Sequence, residues 1–285
     1  MQLQEYDIST QYQAQVIQSR RISADSAADE VREIALEVSE DFKIQVGQHL
    51  GVLAPGQSEF GQRHHFRLYT VADVPQVTAT GRTRVHICVK RCWYIDSYSG
   101  EQYRGVASHF LCDLKPGDTI TVTGPYGQAF APPEEVDAAL ILIGAGTGIA
   151  PFRAFIKYLY QHPDLFHGRI WLLHGGRTGL ELLYMNDVEN DFAQYYDRDT
   201  FEAIAALSDR PHWSEGVNWQ GAIEQRGAEI WRLMEDCKTY VYLAGLESIR
   251  DQLDEVFAEL ADGADRWQRR KAELIAGRRW IELLY

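Results

Sequence analysis

The sequence predicts two domains in tandem: an antiparallel β-barrel over residues 1–135, then an α/β domain with a doubly wound parallel sheet over residues 136–285. Three observations carry that expectation. The chain has 285 residues, the length of about two ordinary domains. Its first half consists of short alternating segments separated by turn residues. From Ala138 onward, short apolar runs alternate instead with stretches of helical period. A hydrophobic fraction of 45% with 24% charged residues is that of a globular protein, which argues against a disordered, collagen-like or disulfide-stapled chain.

In the first half, the segment 31–38 (Val-Arg-Glu-Ile-Ala-Leu-Glu-Val) alternates imperfectly, 84–90 (Arg-Val-His-Ile-Cys-Val-Lys) alternates well and 119–123 (Thr-Ile-Thr-Val-Thr) alternates strictly. Each is bounded by Gly, Pro, Asp or Ser, as strands are. Lys115-Pro-Gly-Asp118 and Gly124-Pro-Tyr-Gly127 are turns, because Pro presets φ and Gly tolerates a positive one. About six such strands make a small closed barrel. The run 131–135 (Ala-Pro-Pro-Glu-Glu) marks the boundary. Beyond it, residues 139–143 (Ala-Leu-Ile-Leu-Ile) form a wholly apolar run, as expected of a parallel strand covered on both faces. The glycine turn Gly144-Ala-Gly-Thr-Gly148 follows, and then Phe152, Phe155, Ile156, Leu159 and Tyr160 recur at helical spacing. Further buried strands are expected at 170–173, 200–205 and 239–243, with helices around 230–234 and 249–260. Ligands of such a sheet bind at the carboxyl ends of its strands.

The formal charge of −13 repels a phosphate backbone and argues against nucleic-acid binding. No apolar run approaches the ~20 residues that span a bilayer. The first residues lack the basic and apolar regions of a secretory signal, so a cytoplasmic protein is expected. Cys88, Cys92, Cys112 and Cys237 match neither a zinc ribbon nor a four-cysteine iron-sulfur run. They are expected to be reduced thiols, mostly buried, and no metal site is expected.

The turn Gly144–Gly148 is neither the G-x-G-x-x-G fingerprint nor a P-loop. Between a buried strand and a helix start, it lets a ligand's phosphates or ring approach backbone amides; equally, it is a tight connection with no ligand. Pro151 falls in the first turn of that helix, where its missing N–H costs nothing. Arg67-Leu-Tyr-Thr70 places a cation, a ring and a hydroxyl within four residues, a set that suits a flavin. On a regular strand Arg67 and Tyr69 share one face and Thr70 points opposite. An exposed strand with a salt-bridged arginine accounts for the tetrapeptide as well.

Taken in order, several segments resemble the plant-type ferredoxin-NADP reductase family over nearly the full chain. They are Gly47-Gln48, Arg67–Thr70, Cys88-Val-Lys-Arg91 with Tyr94, Gly105–Asp118, Gly124–Gly127, Gly146–Arg153, Leu182–Tyr184, Tyr240–Leu246 and the terminal Tyr285. The resemblance implies an FAD-binding barrel followed by a nicotinamide-binding domain, with FAD and either NADPH or NADH as cofactors. It implies that Arg67 holds the flavin phosphates, that Tyr69 packs on the isoalloxazine, and that Thr70 hydrogen-bonds its N5 edge. Val106, Ala107 and Ser108 would offer amides to the pyrophosphate, Tyr94 would stack on adenine, and Cys88, Val89 and Lys90 would line the same cofactor site. Gly146, Thr147, Gly148, Arg177, Ser208, Asp209, Arg210, Gly245 and Leu246 would bind the nicotinamide dinucleotide. Tyr285 would cover the flavin where the nicotinamide must come, and Thr70, Tyr285 and Glu282 are the expected catalytic positions.

Three departures from the family pattern stand out. The family's Cys beside the nicotinamide is Ala244 here. The near-terminal Glu is displaced by one residue: Glu282 lies three positions before Tyr285, and on a strand one position exchanges the faces. In the loop that reads the ribose 2′-phosphate, Asp209 replaces the matched Arg and Asn218 falls near the Lys position. Asp209 leans to NADH by charge, the family leans to NADPH, and Arg210 rescues phosphate binding if the loop shifts by one.

The implied reaction is hydride exchange between a nicotinamide and the flavin, with single electrons passed to a ferredoxin or flavodoxin. For an acidic partner the expected docking run is 266–279, with Arg266, Arg269, Arg270, Lys271, Arg278 and Arg279 against Glu273, or equally a solvated helix face. Two other readings remain: the NADH-dependent reductase component of an oxygenase, and a non-catalytic flavin-binding sensor. A monomer is expected.

Overall fold

The computed structural model describes residues 3–56, 63–211 and 216–285. Contacts divide it into two units, one of residues 1–130 with 153–158, the other of residues 131–152 with 159–285.

The first unit contains strands β1 (Gln11–Arg21), β2 (Val31–Val38), β3 (His49–Pro55), β4 (His64–Thr70), β5 (Gln76–Val77) and β6 (Thr83–Lys90), the hairpin β7 (Trp93–Ile95) and β8 (Gln102–Arg104), helix α1 (Val106–Asp113) and strand β9 (Thr119–Tyr126). Seven strands pair antiparallel in the order β4-β3-β9-β1-β2-β6-β5. A bridge between Val71, just past β4, and Ile87 of β6 closes the sheet into a barrel. The imperfect alternation of β2 has a physical reason: its middle residues Glu33, Ile34, Ala35 and Leu36 are all buried, so both faces are covered. Strand β1 was not picked out from the sequence, although Gln11-Tyr-Gln-Ala-Gln-Val16 alternates polar and apolar residues; only Ala14 and Val16 are buried within it. It nevertheless sits centrally, paired with both β2 and β9.

The second unit continues with β10 (Ala139–Ala145), α2 (Ala150–Gln161), β11 (Arg169–Gly176), β12 (Phe201–Leu207), α3 (Trp219–Glu224), α4 (Gly227–Glu235), β13 (Thr239–Gly245), α5 (Ser248–Leu260), α6 (Ala264–Ala276) and β14 (Trp280–Leu284), with residues 153–158 of α2 counted in the first unit. Its five strands are all parallel, in the order β12-β11-β10-β13-β14. The chain starts at the centre with β10, moves outward through β11 and β12, then returns to build β13 and β14 on the other side. The topological switch point therefore lies between β10 and β13. Ile141, Ile143, Leu173, Val241 and Leu243 form the middle of the core under α3, α5 and α6.

Cys88 and Cys112 are buried, whereas Cys92 and Cys237 are exposed, so the expected burial holds for half of the thiols. Among the described residues no helix is long and apolar enough to cross a membrane.

Candidate functional site

In the first unit, β4 lies beside β3 with Val52 opposite Arg67, Leu50 opposite Tyr69 and His49 opposite Thr70. Alternation therefore puts Arg67 and Tyr69 on one face and Thr70 on the face of His49. Arg67 is exposed and its Nη1 donates to the Phe66 carbonyl at 2.8 Å. Tyr69 is half-buried, and that burial pushes its phenol well above the usual range. The Thr70 hydroxyl shares a 2.8 Å hydrogen bond with His49 Nδ1.

Helix α1 begins at Val106 after Gly105, with no side chain capping it. The Ser108 hydroxyl instead donates to the Gly105 carbonyl at 3.2 Å and accepts from the Cys92 amide at 3.1 Å. No side chain therefore caps the first amides of the helix, an arrangement that suits an anion. Tyr94 and Tyr103 pair across the exposed β7–β8 hairpin, their centroids 5.7 Å apart. Cys88 and Val89 are buried, and Lys90 Nζ is bound to Asp29.

In the second unit the sheet's carboxyl edge gathers most of the residues expected there. The turn Gly146–Ile149 leads from β10 into α2 at the switch point. Gly148 packs so tightly on β13 that a Cβ would lie 2.5 Å from the Ala244 carbonyl oxygen. Gly146, at φ 55°, has open space where its Cβ would stand. Beside it the Thr147 hydroxyl and the Tyr285 hydroxyl are 2.7 Å apart, and the Tyr285 amide donates to the Gly245 carbonyl at 3.1 Å. Leu246 is exposed just past β13. Arg177 follows β11 and is clamped by Glu181, Nη2 to Oε1 at 2.7 Å. Past β12, Ser208 is buried and its Oγ accepts from the Arg210 amide at 3.2 Å. The Asp209 carboxylate accepts from Asn218 Nδ2 at 2.7 Å, while Asn218 Oδ1 caps α3 at the Gly221 amide. Residues 212–215 of this loop lie outside the described residues.

Two expectations meet side chains already occupied. Glu282 Oε2 accepts from Arg250 Nε and Nη2 at 2.9 and 2.7 Å, and Oε1 accepts from Trp280 Nε1 at 2.7 Å. Burial favours its neutral form, but Arg250 and Trp280 outweigh this and hold the carboxyl below its ordinary range. The ion pair with Arg250 favours its charged form. The basic run is likewise stapled internally. Lys271 binds Asp254 at 2.8 Å, Arg270 binds Glu273 at 2.8 Å, Arg266 pairs with Glu235, and Arg279 donates to the Cys237 carbonyl at 2.7 Å. These contacts fold those four side chains back onto their own unit, while Arg269 and Arg278 stay exposed.

Sequence reading missed His49, although it stands right after the Gly47-Gln48 pair singled out above, and it missed the cluster around Arg153. Both depend on strand register and helix position, which no local pattern reveals.

Residues 13–130 match the model of the oxidoreductase FAD-binding domain, and residues 142–254 that of the oxidoreductase NAD-binding domain. A ferredoxin-NADP reductase of Synechocystis sp. is 32% identical over 282 residues, covering 96% of this chain and 68% of that protein. The chloroplastic leaf isozyme 1 of Arabidopsis thaliana is 32% identical over 279 residues, covering 96% of this chain and 77% of its own length. The solved ferredoxin-NADP+ reductase of Plasmodium falciparum superposes with a TM-score of 0.72 at 19% identity, over 99% of this chain and 98% of that one, a likeness of fold. Identity at this level over nearly its whole length means that the chain belongs to the ferredoxin-NADP reductase family.

Proposed function

We propose that this chain is an FAD-dependent NAD(P)H reductase exchanging electrons with a ferredoxin or flavodoxin, with residues 1–135 holding the flavin and residues 136–285 the dinucleotide. The observation that carries the reading is the switch point of the parallel sheet, where Gly146 leaves open space and the terminal Tyr285 is tied to Thr147 beside it.

The donor set of the first unit suits FAD. The Arg67 guanidinium and the uncapped amides of Val106, Ala107 and Ser108 supply positive charge and N–H groups for a pyrophosphate. The Tyr69 ring suits a planar heterocycle, the exposed Tyr94 suits adenine, and the Thr70 hydroxyl can donate or accept. Bound FAD supplies the exchange between a two-electron hydride and single electrons. The chain's own task is to bind, orient and exclude. Gly146 and Gly148 let a dinucleotide approach the backbone, and Thr147 holds Tyr285 over the turn until a nicotinamide replaces it. Glu282 orients Arg250 rather than moving a proton.

The test is addition of FAD to the pure protein, followed by anaerobic reduction with NADH or NADPH. Quenched flavin fluorescence and bleaching of the bound flavin are expected; a folded protein that binds no FAD would overturn the reading.

Two further outcomes follow from the second unit. Tyr285→Ser is expected to tighten NAD+ or NADP+ binding about five- to tenfold, since the hydrogen bond a nicotinamide must break is worth about 1 kcal/mol. Difference-absorbance titration measures this, and an unchanged affinity would mean that the terminal ring does not guard the turn. Asp209, oriented by Asn218, repels a 2′-phosphate and can accept from a free ribose hydroxyl, which favours NADH. Asp209→Arg is expected to shift the kcat/KM ratio toward NADPH about tenfold. Steady-state kinetics with both nucleotides decide it, and an unmoved ratio would assign discrimination to another group.

A further inference from the structure

His49 begins β3 and Thr70 ends β4, directly opposite in the antiparallel register, with Nδ1 and Oγ1 2.8 Å apart. Both side chains are half-buried. The β-branched Thr70 has a stiff χ1, so its oxygen is held in place while only its hydrogen is free to turn. A hydroxyl has one hydrogen to give, and a neutral imidazole carries one N–H on either of two nitrogens. With the hydrogen on His49 Nδ1, the imidazole donates to Thr70, whose own hydrogen is left for another acceptor. With the hydrogen on Nε2, Nδ1 accepts from Thr70, which then shows a neighbour only lone pairs.

We infer that His49 is a positioning residue whose tautomer decides whether the Thr70 hydroxyl donates to the bound cofactor or accepts from it. The inference rests on the reading of Thr70 as a flavin contact. The N5 of oxidised flavin is a bare acceptor, and in reduced flavin it carries a hydrogen, so a hydroxyl that must serve both states needs a partner able to swap roles. Moving one proton between the two imidazole nitrogens through water achieves the swap with no change in net charge and no displacement of heavy atoms.

The surroundings favour this behaviour. Burial pushes the His49 imidazole below its ordinary range, which keeps it neutral near pH 7. The ring lies against Gly127, where a Cβ would come within 2.9 Å of its Cδ2 and 3.2 Å of its Nε2; the positive φ of 77° there also favours glycine. On the His49 side of β4 the residues before Thr70 are Leu68 and Phe66, both apolar, and then His64 at the far end. From β9 the facing residue is Tyr126, whose phenol is pushed up by burial and donates to the Asp7 carbonyl at 2.6 Å, with Tyr6 packed on its ring. The Asp7 carboxylate near Tyr126 is held low by its hydrogen bonds to Ser9.

The experiment is nitrogen NMR of the FAD-loaded protein with labelled histidine, assigned through His49→Asn and recorded oxidised and then after dithionite reduction. The hydrogen is expected on Nδ1 in the oxidised protein and on Nε2 in the reduced one, and the exchange is expected to vanish in Thr70→Val. The same His49 tautomer in both states overturns the inference, as does an exchange that persists in Thr70→Val. If His49→Asn does not fold, assignment by through-bond correlation in the wild type gives the same answer. A wild-type protein that binds no FAD removes the functional reading, and the inference with it, before any tautomer is measured.

Discussion

Arg153→Ala is expected to lower the unfolding free energy by about 3–5 kcal/mol, the range for removing one partner from a buried ion pair. Arg153 is 7% exposed and lies in the part of α2 that belongs to the first unit. Its Nη1 donates to Glu33 Oε2 at 3.0 Å and to the Ala72 carbonyl at 2.8 Å, and its Nη2 lies 3.2 Å from Asp73 Oδ2. Glu33 and Asp73 are themselves only 5% and 6% exposed. Removing the guanidinium leaves Asp73 with Lys157 at 2.8 Å, and Glu33 with Arg20 at 3.2 Å and His86 at 3.6 Å. Urea denaturation measures the loss, and a midpoint within the wild-type error would show that these remaining partners compensate. Combining Arg153→Met with Glu33→Leu should cost less than the sum of the single changes, because the buried Glu33 carboxylate is then no longer left without its guanidinium.

Acid is expected to weaken the same cluster through Glu33. Burial alone would raise its pKa, but the neighbouring His86, Arg153 and Arg20 overcome this and hold it at about 2, against an ordinary value of 4.5. A group depressed in the folded state stabilises it above the unfolded pKa. That contribution is therefore complete above about pH 4.5 and is lost as the pH falls toward about 2. It amounts to about 3 kcal/mol. Urea melts of wild type and Glu33→Gln at pH 6 and pH 3 isolate it. Glu33→Gln should be less stable at pH 6 and should lose less on going to pH 3; equal acid sensitivity in the two proteins would place the titration on other carboxylates.

Much of the fold was legible because local pattern and tertiary environment agree. Residues 140–143 of the apolar run are buried in β10, and Phe152, Phe155, Ile156 and Leu159 of the helical repeat are buried in α2, with Tyr160 half-buried. Strand β1 has the alternation of a half-buried strand in Gln11–Val16, but its central place comes from pairing on both edges, which no local pattern reveals. Helix α6 read as a charge run, yet Trp267, Lys271 and Leu274 face inward. The site shows the same division. Gly146 and Gly148 were visible as a motif, but the spacing of the motif does not show that one glycine leaves open space while the other presses on the Ala244 carbonyl.

By itself the sequence determined the two-domain order, the strand–glycine turn–helix at the switch point, and the identity of the cation, ring and hydroxyl in Arg67–Thr70. These are short-range properties, set by side-chain periodicity and by the backbone freedom of a few glycines. Only the tertiary structure decided which of those groups are already engaged. Arg250 takes the carboxylate of Glu282, and Asp254 takes the ammonium of Lys271. Register puts His49 on Thr70, and α2 carries Arg153 to Glu33, 120 residues away in the chain. A long polar side chain is available or occupied according to the partners that fold and register bring within about 3 Å, and composition and spacing carry no information about that distance.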